Sequence, residues 1–117
     1  MHMAAEMTVR ERVKRIQHEL ISGDVMPSRA RELLMMLTGL LGNCQAEVTR
    51  STGAYTRVLA ECLDAEKKAN RARIRAEMTP EFSAQEEAKN THALVVEMIR
   101  SLKVILKSIE EEIRLSR

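Results

Sequence analysis

A long apolar repeat restricts the fold of this sequence more than any other feature. Between Ala30 and Ala76, apolar or small residues recur at alternating spacings of four and three. The positions are Ala30, Leu34, Leu37, Leu41, Cys44, Val48, Ser51, Tyr55, Val58, Cys62, Ala65, Ala69, Ala72 and Ala76. Their mean spacing of about 3.5 residues is the period of a coiled-coil seam, the line of side chains along which two helices pack. The repeat therefore predicts one long helix over residues 29–78.

Three glycines within this predicted helix bear on its continuity. Gly39, Gly42 and Gly53 each cost a helix about 0.5–1 kcal/mol relative to alanine. The dipeptide Gly42-Asn43 is also typical of a helix end. However, the repeat keeps its phase through this dipeptide, which a loop would have no reason to preserve. A continuous helix is therefore favoured, and a break near Gly42 or Gly53 is the alternative.

A second long helix is predicted over residues 80–116. Thr79 is a suitable N-cap, Pro80 fits the first helical position, and Glu81 places a negative charge in the first turn. The spacing of four and three continues through Ala88, His92, Val95, Ile99, Leu102, Leu106, Ile109 and Ile113. Two matched seams joined by a turn near residues 78–80 predict a long antiparallel hairpin of two helices.

A short N-terminal helix over residues 8–22 is predicted in addition to the hairpin. Thr8 can cap it, and its apolar residues lie on one face. These residues are Val9, Val13, Ile16 and Leu20. Because the helix over 29–78 is longer than the one that returns along it, residues 30–41 are left without a partner from the third helix. We expect the short helix to cover them.

The composition agrees with an all-α chain that forms a single helical domain over residues 1–117. Tyr55 and Phe82 are the only aromatic residues, whereas sheets are enriched in aromatic and β-branched side chains. Four glycines and two prolines are also few for the many turns of a sandwich or barrel. The predicted fold class is therefore a short helix followed by a coiled-coil-like hairpin.

Apolar residues outside the two seams predict self-association. Such residues include Ile74 on the second helix and Val104 on the third. Those assigned to an oligomer interface are Leu33, Leu40, Leu59, Leu63, Leu94, Met98 and Ile105. A homo-oligomer, with a dimer favoured, would bury them in a helical bundle. The alternative is a monomer with exposed apolar flanks, which soluble monomers seldom show.

No set of residues predicts catalysis. Cys44 and Cys62 lack the spacing of a metal site and are expected to be reduced, buried thiols. His92 lies on a seam, where a histidine is more often a core or interface residue than a ligand. Neither it nor His18 is accompanied by a nucleophile, a second ligand or a Gly-rich phosphate loop. We therefore expect no enzymatic activity, no cofactor and no metal.

A basic segment is the strongest candidate for a binding site. It consists of Lys67, Lys68, Arg71, Arg73 and Arg75. Such a stripe could contact nucleic-acid phosphates, although no aromatic residue interleaves it to stack on bases. It is also predicted to lie near a helix C-terminus, where the helix dipole favours cations, and opposite Glu81, Glu86 and Glu87. A solvated or paired surface is therefore favoured over nucleic-acid contact.

The sequence contains no apolar run of about 18 residues, the length needed to span a bilayer. The N-terminus lacks the apolar core of a signal peptide. Met1-His2-Met3 is interpreted as a cloning scar, so His2 is given no function. We expect a cytoplasmic protein with no membrane partner.

Three segments carry a resemblance to a known group of proteins. RELLMMLTGLLGNCQAEV, AEKKANRARIRAEMTPEF and LVVEMIRSLKVILKSIEEEIR resemble small α-helical proteins of bacteriophages and prophages, encoded among early recombination and replication genes. The resemblance covers most of the chain from about residue 30, and it carries over no site residue. It implies a phage-type accessory protein in the bacterial cytoplasm that binds another protein.

The sequence therefore favours a non-enzymatic helical interaction or scaffold protein. One alternative is a DNA-associated recombination or replication accessory that uses the basic segment on phosphates. A second alternative is an inhibitor of a host defence protein.

Overall fold

The computed structural model describes residues 7–116. Met1, His2 and Met3, the proposed cloning scar, lie outside the described residues. Within 7–116 the chain forms four helices and no strand: α1 Val9–Ile21, α2 Pro27–Ala65, α3 Ala69–Glu77 and α4 Pro80–Leu115. The predicted all-α class is confirmed, and α2 and α4 pack against each other as the two legs of a helical hairpin.

The chain divides into two compact units. The first unit contains Met1–Asn43 and Ala93–Arg117, and the second contains Cys44–His92. The first unit therefore holds α1, the first part of α2 and the last part of α4. The second unit holds the remainder of α2, all of α3 and the beginning of α4.

The short helix α1 spans Val9–Ile21, close to the predicted range 8–22, and lies in the first unit. The Thr8 hydroxyl accepts a hydrogen bond from the Glu11 amide at 3.1 Å and so caps the helix. At its other end, both carboxylate oxygens of Glu19 accept hydrogen bonds from Arg29 near the start of α2, at 2.6 and 2.8 Å. This fork-to-fork ion pair fixes α1 against α2. The prediction that α1 covers the start of the long helix is confirmed.

The core of the first unit is built from large aliphatic side chains. Its largest fully buried residues are Val13, Leu33, Leu37, Val95 and Leu102. They come from α1, α2 and α4, so α4 does contribute to the unit that contains the start of α2. The prediction that residues 30–41 lack a partner from the third helix is therefore wrong.

In the second unit the chain runs antiparallel along α2. Gln85 donates a hydrogen bond from Nε2 to the Thr52 hydroxyl at 3.2 Å. The rings of Tyr55 and Phe82 pack with their centroids 5.2 Å apart. The later residue of α2, Tyr55, contacts the earlier residue of α4, Phe82, so the two helices are antiparallel here.

The reversal between the two legs occurs at residues 66–68. Ala72 and Ala76 of α3 form a buried cluster with Cys62 of α2, and Tyr55, Val58 and Leu59 pack against it. Thus α3 already runs back along α2, and α4 continues the return through Phe82 and Gln85. The predicted continuous helix over 29–78 and the predicted turn near 78–80 are wrong.

The physical reason is that packing overrides local signals. Residues 66–68 are Glu-Lys-Lys, all good helix formers, so nothing local marks the break. Thr79 does cap α4, accepting from the Phe82 amide at 3.4 Å, and Pro80 is its first residue, as predicted. However, tight hydrogen bonds from the Met78 and Thr79 amides to Arg75 and Ala76 join α3 directly to α4. The cap marks a new helix and not a reversal.

The glycines do not interrupt α2. Gly39, Gly42 and Gly53 all lie within Pro27–Ala65. An added Cβ at each would meet no atom within 4 Å, so these residues do not serve a close approach of the backbone. The prediction that the helix passes through them is confirmed.

None of the helices in the described part of the chain is long and apolar enough to cross a membrane.

Candidate interaction surfaces

The basic segment is exposed along its whole length, but it lies at the start of a helix. Lys67 is in the reversal and Lys68 is the N-cap of α3, where its side chain makes no capping hydrogen bond. Arg71 follows in the first turn, and only Arg75 is in the last turn. The expectation that the helix dipole stabilises these cations is therefore wrong for Lys68 and Arg71, because the N-terminal end of a helix carries the positive partial charge.

Within residues 7–116, the expected pairing of the basic segment with Glu81 and Glu86 of α4 is not formed. Arg75 donates from Nη1 to Glu66 at 3.3 Å, across the reversal, and not to Glu81 or Glu86. Within residues 7–116, no carboxylate pairs with Lys67, Lys68, Arg71 or Arg73. Four exposed cations, two at the reversal and two on α3, therefore have no paired carboxylate in the described part of the chain.

Two large apolar side chains are exposed at α3, Ile74 within the helix and Met78 at its C-cap. Ile74 is 61% exposed and Met78 is 82% exposed. With Arg71 and Arg75 they have the spacing i, i+3, i+4 and i+7, which places all four on one side of the helix. We call this set the α3 outer face. It lies opposite the buried Ala72 and Ala76, so the same helix that packs inward through small residues presents cations and apolar groups outward.

Sequence reasoning found the cations of the α3 outer face but missed its apolar half. From the sequence, Ile74 is named only among the apolar residues outside the seams. Met78 is placed at the end of the predicted helix over residues 29–78. The i, i+3, i+4, i+7 spacing was present in the sequence as a signal. The spacing alone does not show which side of the helix is exposed. The structure shows it, because Ala72 and Ala76 pack against α2.

The residues assigned to an oligomer interface fall in different environments. Leu33, Leu40 and Met98 are buried within the chain, so their assignment to an interface is wrong in this structure. Leu59 packs against the Cys62 cluster, and Leu94 is half-buried. Only Leu63 and Ile105 are about half exposed. The structural reason is that three elements, α1, α2 and α4, share the first unit and bury side chains that a two-helix ribbon would expose.

Other large apolar residues are exposed instead. They are Ile21, Met26, Met35, Met36, Ile74, Met78, Val104, Ile113 and Leu115. The end of α4 combines two of them, Ile113 and Leu115, with the acidic run Glu110, Glu111 and Glu112.

The cysteines and histidines of the described chain lie on three different helices, α1, α2 and α4. Cys44 and Cys62 are free and buried, and desolvation raises the pKa of the Cys44 thiol. His18 is exposed in the last turn of α1, and His92 is half-buried on α4. Among residues 7–116, no three His, Cys, Asp or Glu side chains are grouped so that they could hold a metal ion.

Comparisons with protein-family models, with curated proteins and with solved structures find no match to this chain.

Proposed function

We propose that the chain is a non-enzymatic interaction protein that binds a protein partner through the α3 outer face. The observation that carries this proposal is the exposure of Ile74 and Met78 on the same side of α3 as Arg71 and Arg75. Isolated exposed apolar residues are common on soluble proteins, but a set framed by cations is typical of a binding surface.

The chemistry of this face indicates the chemistry of the partner. Burial of each large apolar side chain contributes about 1.5–3 kcal/mol, which only a partner with apolar surface can supply. The cations accelerate association with an acidic surface and select its orientation. We therefore infer an acidic protein surface with an apolar patch at its centre. A phosphate backbone would satisfy the arginines but would leave Ile74 and Met78 in water.

Nucleic-acid binding is the second candidate, favoured by the unpaired cations of the basic segment. Lys67, Lys68, Arg71 and Arg73 have no carboxylate partner within residues 7–116, and such cations bind phosphates with release of counterions. No aromatic side chain lies in the segment to stack on bases. This candidate therefore predicts sequence-independent, salt-sensitive binding.

The resemblance to phage proteins suggests where the proposed protein binding would occur and which kinds of protein would be bound. A phage-type accessory factor in the bacterial cytoplasm would act on a protein of recombination or replication, or would inhibit a host defence protein. Both are protein partners, so they agree with the proposal made from the α3 outer face and differ only in which partner is bound.

Fluorescence anisotropy with single- and double-stranded oligonucleotides at two salt concentrations tests the second candidate. Absence of binding at low salt removes it. Salt-sensitive binding that is lost in the Arg71→Ala, Arg75→Ala variant supports it and weakens the protein-partner proposal.

Co-purification from the native host, read by mass spectrometry, tests the leading proposal. The wild-type chain is compared with an Ile74→Ser, Met78→Ser variant and with a control, Met35→Ser, Val104→Ser, which removes two exposed apolar residues of the first unit. We expect a specific partner with the wild type and the control, and its loss with the α3 variant. Retention by the α3 variant at unchanged stability contradicts the proposal.

A further inference from the structure

We propose that a cleft between α1 and α2 binds the C-terminal turn of α4 from a second copy of the chain. The cleft lies entirely within the first unit and has a volume of about 490 Å³. We call it the α1–α2 cleft. It is separate from the α3 outer face, so the proposal does not depend on the function proposed above.

The floor of the α1–α2 cleft is apolar and open. Ile16 and Leu40 are nearly buried, and Met36 remains about half exposed beside them. Gly39 also lines the cleft, and no atom lies within 4 Å of the position that a Cβ would occupy there. The cleft can therefore accept an aliphatic side chain without a change in the backbone of α2.

The charge of the cleft is positive and uncompensated. Arg29 also lines it, but its guanidinium already binds Glu19, and Glu32 at 3.1 Å. Arg12 and Arg15 of α1 are exposed, and within residues 7–116 neither is paired with a carboxylate. The cleft thus combines an apolar floor with two free arginines, which selects an acidic ligand that carries an aliphatic group.

The end of α4 has the complementary chemistry. Leu115 is 80% exposed, and Glu111 and Glu112 lie four and three residues before it, on the same face of the helix. A second copy can therefore insert Leu115 over Ile16 and Leu40 while its two carboxylates meet Arg12 and Arg15. Because every chain carries both the cleft and the helix end, the contact can be made twice in a symmetric dimer.

The first experiment measures the mass of the full chain by sedimentation equilibrium over a wide range of concentrations. We expect a dimer of twice the 13.3 kDa chain mass. The Leu115→Glu variant should raise the dissociation constant by about tenfold or more, since it removes a buried leucine and adds a charge. A wild type that stays monomeric at all concentrations overturns the proposal.

Filling the cleft provides a matched pair of variants. Gly39→Leu should block the α1–α2 cleft and abolish the dimer. Gly53→Leu is the control, because Gly53 is also a helical glycine of α2 with open space around it but lies in the second unit. Circular dichroism melts confirm that both variants fold. Equal dimerisation of the two variants contradicts the assignment of the cleft.

Charge reversal then tests the pairing itself. The Arg12→Glu, Arg15→Glu variant and the Glu111→Arg, Glu112→Arg variant should each be monomeric, and a chain that carries all four changes should dimerise again. The Arg57→Glu, Lys89→Glu variant, with two exposed changes in the second unit, should leave the dimer intact. Failure of the four-fold variant to dimerise overturns the proposed pairing. Loss of the host partner of the α3 outer face without loss of the dimer would affect only the function proposed above.

Discussion

Small side chains make the close contact between α3 and α2. Ala72 and Ala76 are fully buried, and the buried residue of α2 in the same cluster is Cys62, which is also small. Their neighbour Ala69 occupies a position of the same sequence repeat but is exposed. The repeat thus includes both buried and exposed alanines, and the sequence alone does not show which of them are buried.

Substitution by leucine should have different effects on stability at the buried and the exposed alanines. Ala72→Leu should destabilise the fold by about 1–3 kcal/mol, because the added atoms have no space against Cys62, Val58 and Leu59. Ala69→Leu and Arg71→Ala should each change the free energy of unfolding by less than about 0.5 kcal/mol, because both residues are exposed. Urea denaturation measures all three. A large effect of Ala69→Leu would show that the whole repeat is buried and that α3 does not lie as described.

The Glu19–Arg29 pair makes stability depend on pH. Hydrogen bonding to Arg29 lowers the pKa of Glu19 below its ordinary value of 4.5. A carboxylate with a lowered pKa in the folded state stabilises the fold above its ordinary pKa, and this stabilisation is lost as the pH falls through the lowered value. Wild type should therefore melt at a higher temperature than Glu19→Gln at neutral pH, and the difference should disappear in acid.

The matched control for this prediction is the same change in an Arg29→Ala background. There Glu19→Gln should no longer produce a difference between neutral and acid pH, because the hydrogen-bond donor is gone. A pH-dependent difference that persists in this background would assign it to another group near Glu19.

At the scale of helices, the reversal at residues 66–68 decides which side chains meet. Tyr55 packs on Phe82 only because the chain turns back before α3 begins. With a turn at 78–80, Phe82 would instead lie near the end of a continuous helix. Tyr55 would then be about 30 Å away, given about 1.5 Å per residue.

A double-mutant cycle on Tyr55 and Phe82 tests this topology. The two rings should show a coupling energy of about 0.5–1.5 kcal/mol in the free energy of unfolding, as is usual for aromatic pairs in contact. Tyr55→Leu and Phe82→Leu are suitable single changes, since both preserve apolar volume. The matched cycle between Tyr55→Leu and Leu102→Ala, which pairs Tyr55 with a buried residue of the other unit, should give no coupling. Absence of coupling between the two rings would contradict the reversal at residues 66–68 and would favour the predicted turn at 78–80.

The sequence was sufficient to predict the class of fold and most helix ends. A regular spacing of apolar residues predicts a helix without knowledge of the element that packs against it. The Thr79-Pro80 pair also predicts the first residue of α4 correctly. The reversal could not be predicted in the same way. Glu66, Lys67 and Lys68 have no preference against helix, and only the fit of Ala72 and Ala76 onto α2 places the break there.

The candidate surfaces were predictable to a lesser degree for the same reason. Charge is visible in a sequence, so Arg71 and Arg75 could be identified directly. Exposure of an apolar residue depends on which helices share a unit, and this is why Leu33 was assigned to an interface although it is buried. A third helix, α1, buries what two helices would have exposed.

At the scale of the whole molecule, the two units differ in what they bury. The first unit encloses large aliphatic side chains, including Leu33, Leu37 and Leu102. The buried residues of the second unit are small or polar: Cys44, Ser51, Cys62, Ala72, Ala76, Gln85 and Ala88. Since hydrophobic stabilisation follows the apolar area removed from water, the second unit receives less of it.

Native-state hydrogen exchange should therefore show that the second unit opens at a lower free energy than the first. Amides in the middle of helices are the proper probes, because helix ends exchange by fraying: Leu37 and Leu102 represent the first unit, and Val58 and Ala88 represent the second. The Leu37→Ala variant, expected to cost about 2–5 kcal/mol, should lower protection in the first unit. Equal protection at all four probes in the wild type would mean that the two units unfold as one. A second unit that opens on its own would let the α3 outer face adapt to the proposed protein partner while the cleft and the core of the first unit stay intact.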